Sequence, residues 1–408
     1  MLLEKFYDGL EIHREEKIVY GKFLVPHRVI STCSAAGGLA DDLTCLYNHQ
    51  SCEPAGHHRP IHHLAARRPH AYRQMIACRH GLPPEHCATL GTAANMRYTA
   101  IKHETYRDLE VVAVCTGGVE TNAGRAGDPA GFYEWDGVFE RVADHEQADL
   151  IGHGTINTLL FISRELTAGA MVRTVMTATE AKTAALQELA VNSRYSDGLA
   201  TGTGTDQIGV ASRLGTGIPL TGAGKHSVLG ELIGRTVHDA IRETLSLQNG
   251  LTPQRQRSSV IHLQRFGVTK VKLLESVRSR LSENHGALFA GNFKGVERDP
   301  LVAAAVAALA HLRDKVAWGI LPMSCVPELW ATYGAQVAAA VSGDYTRLAA
   351  YRETLASERY TFHNGDLAQV VAHAMAIGFE EKWPEPDVEK ALPAHSPNDC
   401  PSEYLPVS

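Results

Sequence analysis

Apolar and polar positions along the chain fall into three blocks. In the first, about residues 18–125, Val29-Ile30-Ser31-Thr32 and Val111-Val112-Ala113-Val114 are β-branched runs followed by Gly-Gly pairs, which predicts buried strands joined by loops. The second, about 150–248, reads strand, helix, strand, helix. Ile156 to Ile162 is an apolar run of strand length, and Leu166 to Leu189 carries Leu and Met at helical spacing with no proline and Gly169 as its one glycine. Gln207 to Ala211 predicts a further strand after a glycine-rich loop, and Ser227 to Leu247 resumes the helical period. The polar stretch Asn249 to Arg257 ends that helix and has linker character. Beyond it the pattern is helical. Asp299-Pro300 supplies an N-cap and a first-turn proline for Leu301 to Val316, and Ala335 to Val341 and Leu367 to Ile377 predict further helices. From Trp383 on, Pro384, Pro386, Pro393, Pro397, Pro401 and Pro406 predict an extended tail. The expected fold is therefore an α/β protein of α+β type, a mixed sheet layered with helices over residues 1–250. A mostly helical domain follows over 251–385, then a Pro-rich tail over 386–408.

Composition narrows the function classes. Hydrophobic residues at 44% and charged residues at 21% describe an ordinary globular chain and exclude disorder as its main state. The charge sum, 39 − 45 = −6, offers no basic surplus for a phosphate backbone, so no nucleic-acid partner is expected. The longest apolar stretch, Leu301 to Ala310, falls short of the roughly 20 residues that span a bilayer, so no membrane partner is expected. His13-Arg14-Glu15-Glu16-Lys17 interrupts any secretory apolar core, and the expected location is the cytoplasm. The eight cysteines form no CxxC pair and read mostly as small buried apolar residues. Among 21 histidines, His57-His58 and His62-His63 cluster with His49, His70, His80 and His86. A solvated loop is the commoner origin of such a tract, and no metal site is assigned, although a divalent metal there is left open.

Three segments hold more glycine and hydroxyl than packing requires: Cys115 to Asp128, Gly154-Thr155-Ile156-Asn157, and Thr201-Gly202-Thr203-Gly204-Thr205-Asp206. Each adjoins a predicted strand, where a sheet presents backbone N–H groups to a ligand. Taken singly, each also reads as a tight turn. A phosphate loop fails on detail, because neither GxxxxGK[ST] nor a complete GxGxxG occurs, and GxSxG is missing too. A threonine at a strand end beside Asn122 can attack an amide carbonyl if a base takes its proton and glycine N–H groups stabilise the oxyanion.

These segments resemble the adenosylcobinamide amidohydrolase family, in that family's order. The matching stretches are Gly117-Gly118-Val119 through Asp128, Gly154 to Asn157, Thr177-Ala178-Thr179-Glu180-Ala181-Lys182-Thr183-Ala184-Ala185-Leu186-Gln187-Glu188-Leu189, and Thr201 to Gln207. Supporting matches are Ile30-Ser31-Thr32 with Gly37-Gly38, Asn48, and His226 to Gly234. The resemblance covers roughly residues 20–245. It implies hydrolysis of the amide joining the aminopropanol arm to the corrinoid, giving adenosylcobyric acid and (R)-1-aminopropan-2-ol, a salvage step of vitamin B12 metabolism. The partner is then a corrinoid small molecule; no cofactor is required, and the cobalt belongs to the substrate.

A fainter likeness links the same order of segments to the DmpA-type aminopeptidases and ornithine acetyltransferase. It places Thr121 at or near a nucleophile, although Glu120 is not the glycine usual before it. Asn122 and Asp206 complete the expected catalytic set. Asp128, Asn157, Thr179, Glu180, Lys182, Thr203 and Thr205 are the expected substrate-binding residues. For Glu180 and Lys182 a solvated helix face is the competing reading, and burial decides between the two. Competing functions are a corrinoid-binding module without catalysis and a self-processing acyltransferase or peptidase. The helical domain's aromatics Trp318, Trp330 and Tyr333 read as core. Its role stands between oligomerisation, docking and a lid, so a homo-oligomer remains among the expected partners.

Overall fold

The computed structural model describes residues 1–52, 60–142 and 154–384 and divides the chain into two units, Met1–Gln256 and Arg257–Ser408. The first unit holds two sheets. One runs β1 (Leu2–Phe6), β2 (Leu10–Glu15), β3 (Ile18–Phe23), β6 (Cys45–Gln50), β7 (Cys87–Thr92), antiparallel except for β6 with β7. The other contains β4 (His27–Ser31), β5 (Gly38–Ala40), β8 (Ala100–Tyr106), β9 (Leu109–Thr116), β13 (Asn157–Ile162) and β15 (Gln207–Arg213). Its spatial order is β5-β4-β15-β13-β9-β8, and its one parallel pair is β13 with β15. Two short ribbons, β10 (Ala123–Gly124) with β14 (Gly202–Thr203) and β11 (Phe132–Trp135) with β12 (Val138–Arg141), lie outside the sheets.

Alternation of side chains across the strands makes the unit four layers deep. Leu10, Ile12, Val19 and Leu46 of the first sheet meet Val112, Val114, Leu159 and Phe161 of the second in one core. On the far side of the second sheet, Val111, Ala113, Leu160 and Val210 pack with α3 (Ala168–Glu188) and α4 (Val228–Asn249) through Ala178, Ala185, Ile233 and Val237. The outer face of the first sheet, Ile18, Tyr20 and Tyr47, takes Tyr72, Ile76 and Ala77 of α2 (Pro69–Arg79), which follows α1 (Pro60–Arg67). Every residue of β13 is buried because both its faces are covered, which is why its sequence is a run and not an alternation. Thr167 and Ser227 cap α3 and α4 by accepting from Ala170 N and Gly230 N, and Gly250, at a positive φ of 63°, ends α4.

Two differences from the sequence pattern stand out. Strands begin at Leu2, ahead of the expected block, and the histidine-rich segment is not a solvated loop where it is described. His62, His63 and His70 lie on α1 and α2, because Tyr72, Ile76 and Ala77 form an apolar stripe that the sheet buries; His57-His58 lie outside the described residues. His49 is buried on β6. Cys33, Cys45, Cys52, Cys87 and Cys115 are buried, Cys78 is exposed and Cys325 half-buried; Cys400 and the Pro386–Pro406 tail lie outside the described residues. Among the described residues no helix is long and apolar enough to cross a membrane.

The second unit is helical where described. Lys270–Arg278, Glu283–Glu297, Pro300–Ala317, Val326–Ser342, Leu348–Ala356 and Asn364–Lys382 surround Phe289, Phe293, Trp330 and Phe379. Asp299 caps its helix by accepting from Leu301 N and Val302 N, at 2.9 and 3.1 Å. Trp330 is fully buried and Tyr333 packs on the same core, whereas Trp318 is exposed.

Two buried histidines make the first unit acid-sensitive. His27 donates from Nδ1 to Val25 O (2.8 Å) and accepts from the Tyr7 hydroxyl (3.1 Å), and His49 Nδ1 lies 2.6 Å from the Tyr72 hydroxyl. Burial pushes His27 down to about 4 and His49 down to about 3, the latter helped by the charges of His80, Arg79 and Lys17. Both stay neutral in the fold where the unfolded chain binds protons, so their stability contribution is complete above about pH 6.5 and is lost as pH falls toward 4. The urea midpoint should therefore drop on acidification between about pH 6.5 and 5, by up to about 1.4 kcal/mol per pH unit for each histidine. His49→Gln should flatten that slope by about one proton; an unchanged slope would remove His49 from the account.

Candidate active site

Four segments distant along the chain meet where β9 ends and β13 and β15 begin. Thr116, Asn157 and Gln207 stand in register across these strands, so the loops attached to them share one sheet edge. Gly118 N donates to Thr155 O (3.1 Å), and β10 pairs with β14. α3 runs past the same edge and delivers Lys182.

Asp206 is the hub. Its Oδ1 accepts from Ile156 N (2.8 Å) and Thr203 Oγ1 (2.6 Å), and its Oδ2 from Thr203 N (2.9 Å) and Lys182 Nζ (2.5 Å). Only 12% of the Asp206 side chain and 15% of that of Lys182 are exposed. The threonine hydroxyl and amide at 203 fold the loop back on its own aspartate, the local hydrogen bonding that makes such residues turn formers. Gly202 is required by space: a Cβ there meets Asp206 Oδ2 at 2.5 Å and Lys182 Nζ at 3.0 Å.

A hydroxyl and amide network adjoins the hub. Thr205 Oγ1 donates to Gly154 O (2.8 Å) and so accepts from Thr155 Oγ1 (2.7 Å). Asn122 Nδ2 donates to Gly154 O (3.0 Å) and Thr205 Oγ1 (3.3 Å), while its Oδ1 accepts from the Tyr195 hydroxyl (2.9 Å). Both Asn122 amide protons are thus engaged, which suits positioning of Gly154 and Thr205. Gly154 admits no side chain, since a Cβ meets Gly118 O at 2.6 Å. The Tyr195 phenol is shifted up by burial and then by the charge of Asp128, so it acts as a donor. Cys115, beside the glycine pair, is pushed up to about 12 by burial and is an inert thiol.

A second polar chain runs between the sheets. Fully buried Asn157 donates from Nδ2 to Asn48 Oδ1 (2.8 Å) and Gly91 O (2.9 Å), Asn48 donates to Thr116 Oγ1 (2.7 Å), and Gly91 N donates to Gln207 Oε1 (2.8 Å). Asn157 Oδ1 is left without a hydrogen-bond partner, an expensive vacancy for a buried amide. Gly91 and Gln207 also line a small open cleft with Cys33, Ser34, Tyr72 and Thr89. Gln207 directly follows Asp206 in the chain, but Asn122, Lys182, Thr203, Thr205 and Asp206 do not line this cleft.

Of the expected residues, Asn122, Lys182, Thr203, Thr205 and Asp206 come together here, and Asn157 stands at the neighbouring strand start. Thr121 occupies the exposed turn next to Asn122. Asp128 closes the turn after β10 by accepting from Arg125 N (2.7 Å) and Ser193 Oγ (2.6 Å). Thr179 and Glu180 make their contacts elsewhere: the Thr179 hydroxyl donates to Val175 O, and Glu180 pairs with Lys225 at 2.6 Å on an exposed face. Burial thus separates Lys182 from Glu180, two residues earlier. Thr155, Tyr195 and Gln207 had no individual signal; Tyr195 is a lone aromatic in a polar loop whose partner lies 73 residues away. Among the described residues no group of three or more His, Cys, Asp or Glu is placed to hold a metal ion.

Residues 3–253 match the family model described as adenosylcobinamide amidohydrolase. An uncharacterized protein of Methanocaldococcus jannaschii is 37% identical over 180 residues, which is 44% of this chain and 70% of that protein.

The two ion pairs of α3 predict opposite outcomes. Asp206→Ala strands Lys182 and two backbone N–H groups and should lower stability by about 3 kcal/mol, whereas Glu180→Ala, which breaks an exposed pair, should cost within about 0.5 kcal/mol. Urea unfolding of both variants tests this, and equal losses would contradict it.

Proposed function

Because the chain belongs to the adenosylcobinamide amidohydrolase family, we propose that its first unit hydrolyses the amide between the aminopropanol arm and the corrinoid of adenosylcobinamide. The products are adenosylcobyric acid and (R)-1-aminopropan-2-ol: water's hydroxyl ends on the acyl carbon and its proton on the leaving amine. The observation that carries this reading is the convergence of Asn122, Thr155, Lys182, Thr205 and Asp206 on one sheet edge. The layered two-sheet arrangement is also in keeping with kinship to the DmpA and ornithine acetyltransferase enzymes, which we include in the proposal.

In this reading the residues divide the work. Thr121, on the exposed turn, attacks the amide carbonyl through its hydroxyl oxygen; the C–N bond breaks as the hydroxyl proton goes to the leaving amine, and water then cleaves the resulting ester and restores the threonine hydroxyl. Lys182 has three N–H donors and gives one to Asp206, so the held ammonium serves the oxygen on which negative charge develops. Asp206, with four donors already upon it, positions the lysine and the Thr203–Thr205 loop. Asn122 and Tyr195 hold the neighbouring Gly154 carbonyl and Thr205. The cobalt is part of the substrate, and the reaction suits a cell that salvages incomplete corrinoids in its cytoplasm.

Mass spectrometry of adenosylcobinamide incubated with the full chain should show release of aminopropanol. Thr121→Ala and Lys182→Met should each reduce kcat by about 100-fold or more. Binding seen in the corrinoid spectrum without any release, with or without added divalent metal, would replace the hydrolase by a corrinoid-binding module. An intact mass showing two chains split before Thr121 would point instead to a self-processing enzyme.

A further inference from the structure

Three consecutive residues, Ser193, Arg194 and Tyr195, hold the turn that carries Thr121. They belong to the loop after α3, which Val191 N fastens to the helix end by donating to Leu186 O (3.1 Å) and which Ser193 N closes by donating to Gly198 O (2.9 Å). From that loop Ser193 Oγ donates to Asp128 Oδ2 (2.6 Å) and the Tyr195 hydroxyl to Asn122 Oδ1 (2.9 Å). Between them Arg194 donates twice, its backbone N–H to Ala123 O (2.9 Å) and its Nη2 to Glu120 O (2.5 Å). The Tyr195 ring also closes on the segment, because a Cβ on Gly124 would meet it at 3.3 Å.

The two Arg194 bonds fall on either side of Thr121. Ala123 pairs with Thr203, and Asn122 is fastened to Gly154 and Thr205, so the chain after Thr121 is fixed to the hub. Ahead of it Val119 is buried, and its N–H donates to Asn249 Oδ1 (3.1 Å). Glu120 and Thr121 stand exposed between these anchors. Because the peptide unit is planar, holding the Glu120 carbonyl fixes the plane from which the Thr121 residue springs. The donor that holds it is a guanidinium, whose hydrogen bonds are charge-assisted and whose charge does not titrate in the working range.

We infer that Arg194 is a positioning residue for Thr121: it clamps the turn across Glu120 and Ala123 and so aims the threonine hydroxyl at the amide carbonyl. This rests on the hydrolase reading given above, with Thr121 as nucleophile, and adds the residue that orients it. An exposed side-chain bond contributes little to folding, whereas the rate of attack depends steeply on the approach of the nucleophile. Loss of the guanidinium is therefore a loss of rate and not of stability.

The test is a cycle on the full chain with adenosylcobinamide: the parent, Arg194→Ala, Thr121→Ala and the double variant, each with its thermal melting. Arg194→Ala should lower kcat about 10-fold or more, with KM within about twofold and melting unchanged. Arg194→Lys, which keeps a cationic donor, should return kcat to within about threefold of the parent. In the Thr121→Ala background the same Arg194→Ala change should leave the residual rate within about twofold, since residues acting as one unit are not additive. An unchanged kcat in Arg194→Ala overturns the inference, and so does a raised KM at constant kcat, which makes Arg194 a substrate contact. An equal fall in both backgrounds overturns it in favour of a scaffold role. A Thr121→Ala variant as active as the parent removes the nucleophile and the inference while leaving the hydrolase standing. A parent that releases no aminopropanol removes the hydrolase reading itself, and the clamp's role with it.

Discussion

The Lys182–Asp206 pair is the contact on which the candidate site depends. It ties the middle of a long helix to the loop that enters β15, and it does so with little access to water. A pair of this kind adds little net stability, since desolvating two charges offsets most of their attraction. What it supplies is position: with four donors on one carboxylate, Thr203, Ile156 and Lys182 have a single compatible arrangement. Thr205, Gly154 and Asn122 then follow through shared hydrogen bonds.

The layering explains why such a cluster forms at this edge. One parallel pair in an otherwise antiparallel sheet requires a crossover, and the α3 crossover between β13 and β15 brings Lys182 back over the strand starts. The antiparallel β9 ends at the same edge, so its glycine-rich continuation lies beside the loops that open the other two strands. Between the sheets the polar chain Thr116–Asn48–Asn157–Gly91–Gln207 crosses an otherwise apolar core and ends at the cleft. Polar groups held inside a core at such desolvation cost are a feature of sites more often than of scaffolds.

Much of this organisation is legible along the chain. β4, β9, β13, β15, α3 and α4 correspond to runs whose period is a property of neighbouring residues, and the caps Thr167, Ser227 and Asp299 are local hydrogen bonds. The threonine- and glycine-rich loops announced themselves because their composition exceeds what a turn needs. The helices of the histidine-rich segment did not, since their apolar stripe is short and is outnumbered by polar residues that face away from the sheet. The ribbon was equally silent in the sequence pattern.

The amino-acid sequence by itself determined the family, the alternation of strands and helices over the first 250 residues, and which loops are candidates for the chemistry. Those properties are written in short windows, where period, capping and turn-forming residues act over a few bonds. Tertiary structure alone decided that Lys182 and not Glu180 enters the site, that Asn157 faces Asn48 across 109 residues, and that Tyr195 holds Asn122. These are matters of burial and register between distant segments. No local pattern encodes them, because the free energy that selects them arises only once the sheets and helices have closed over one another.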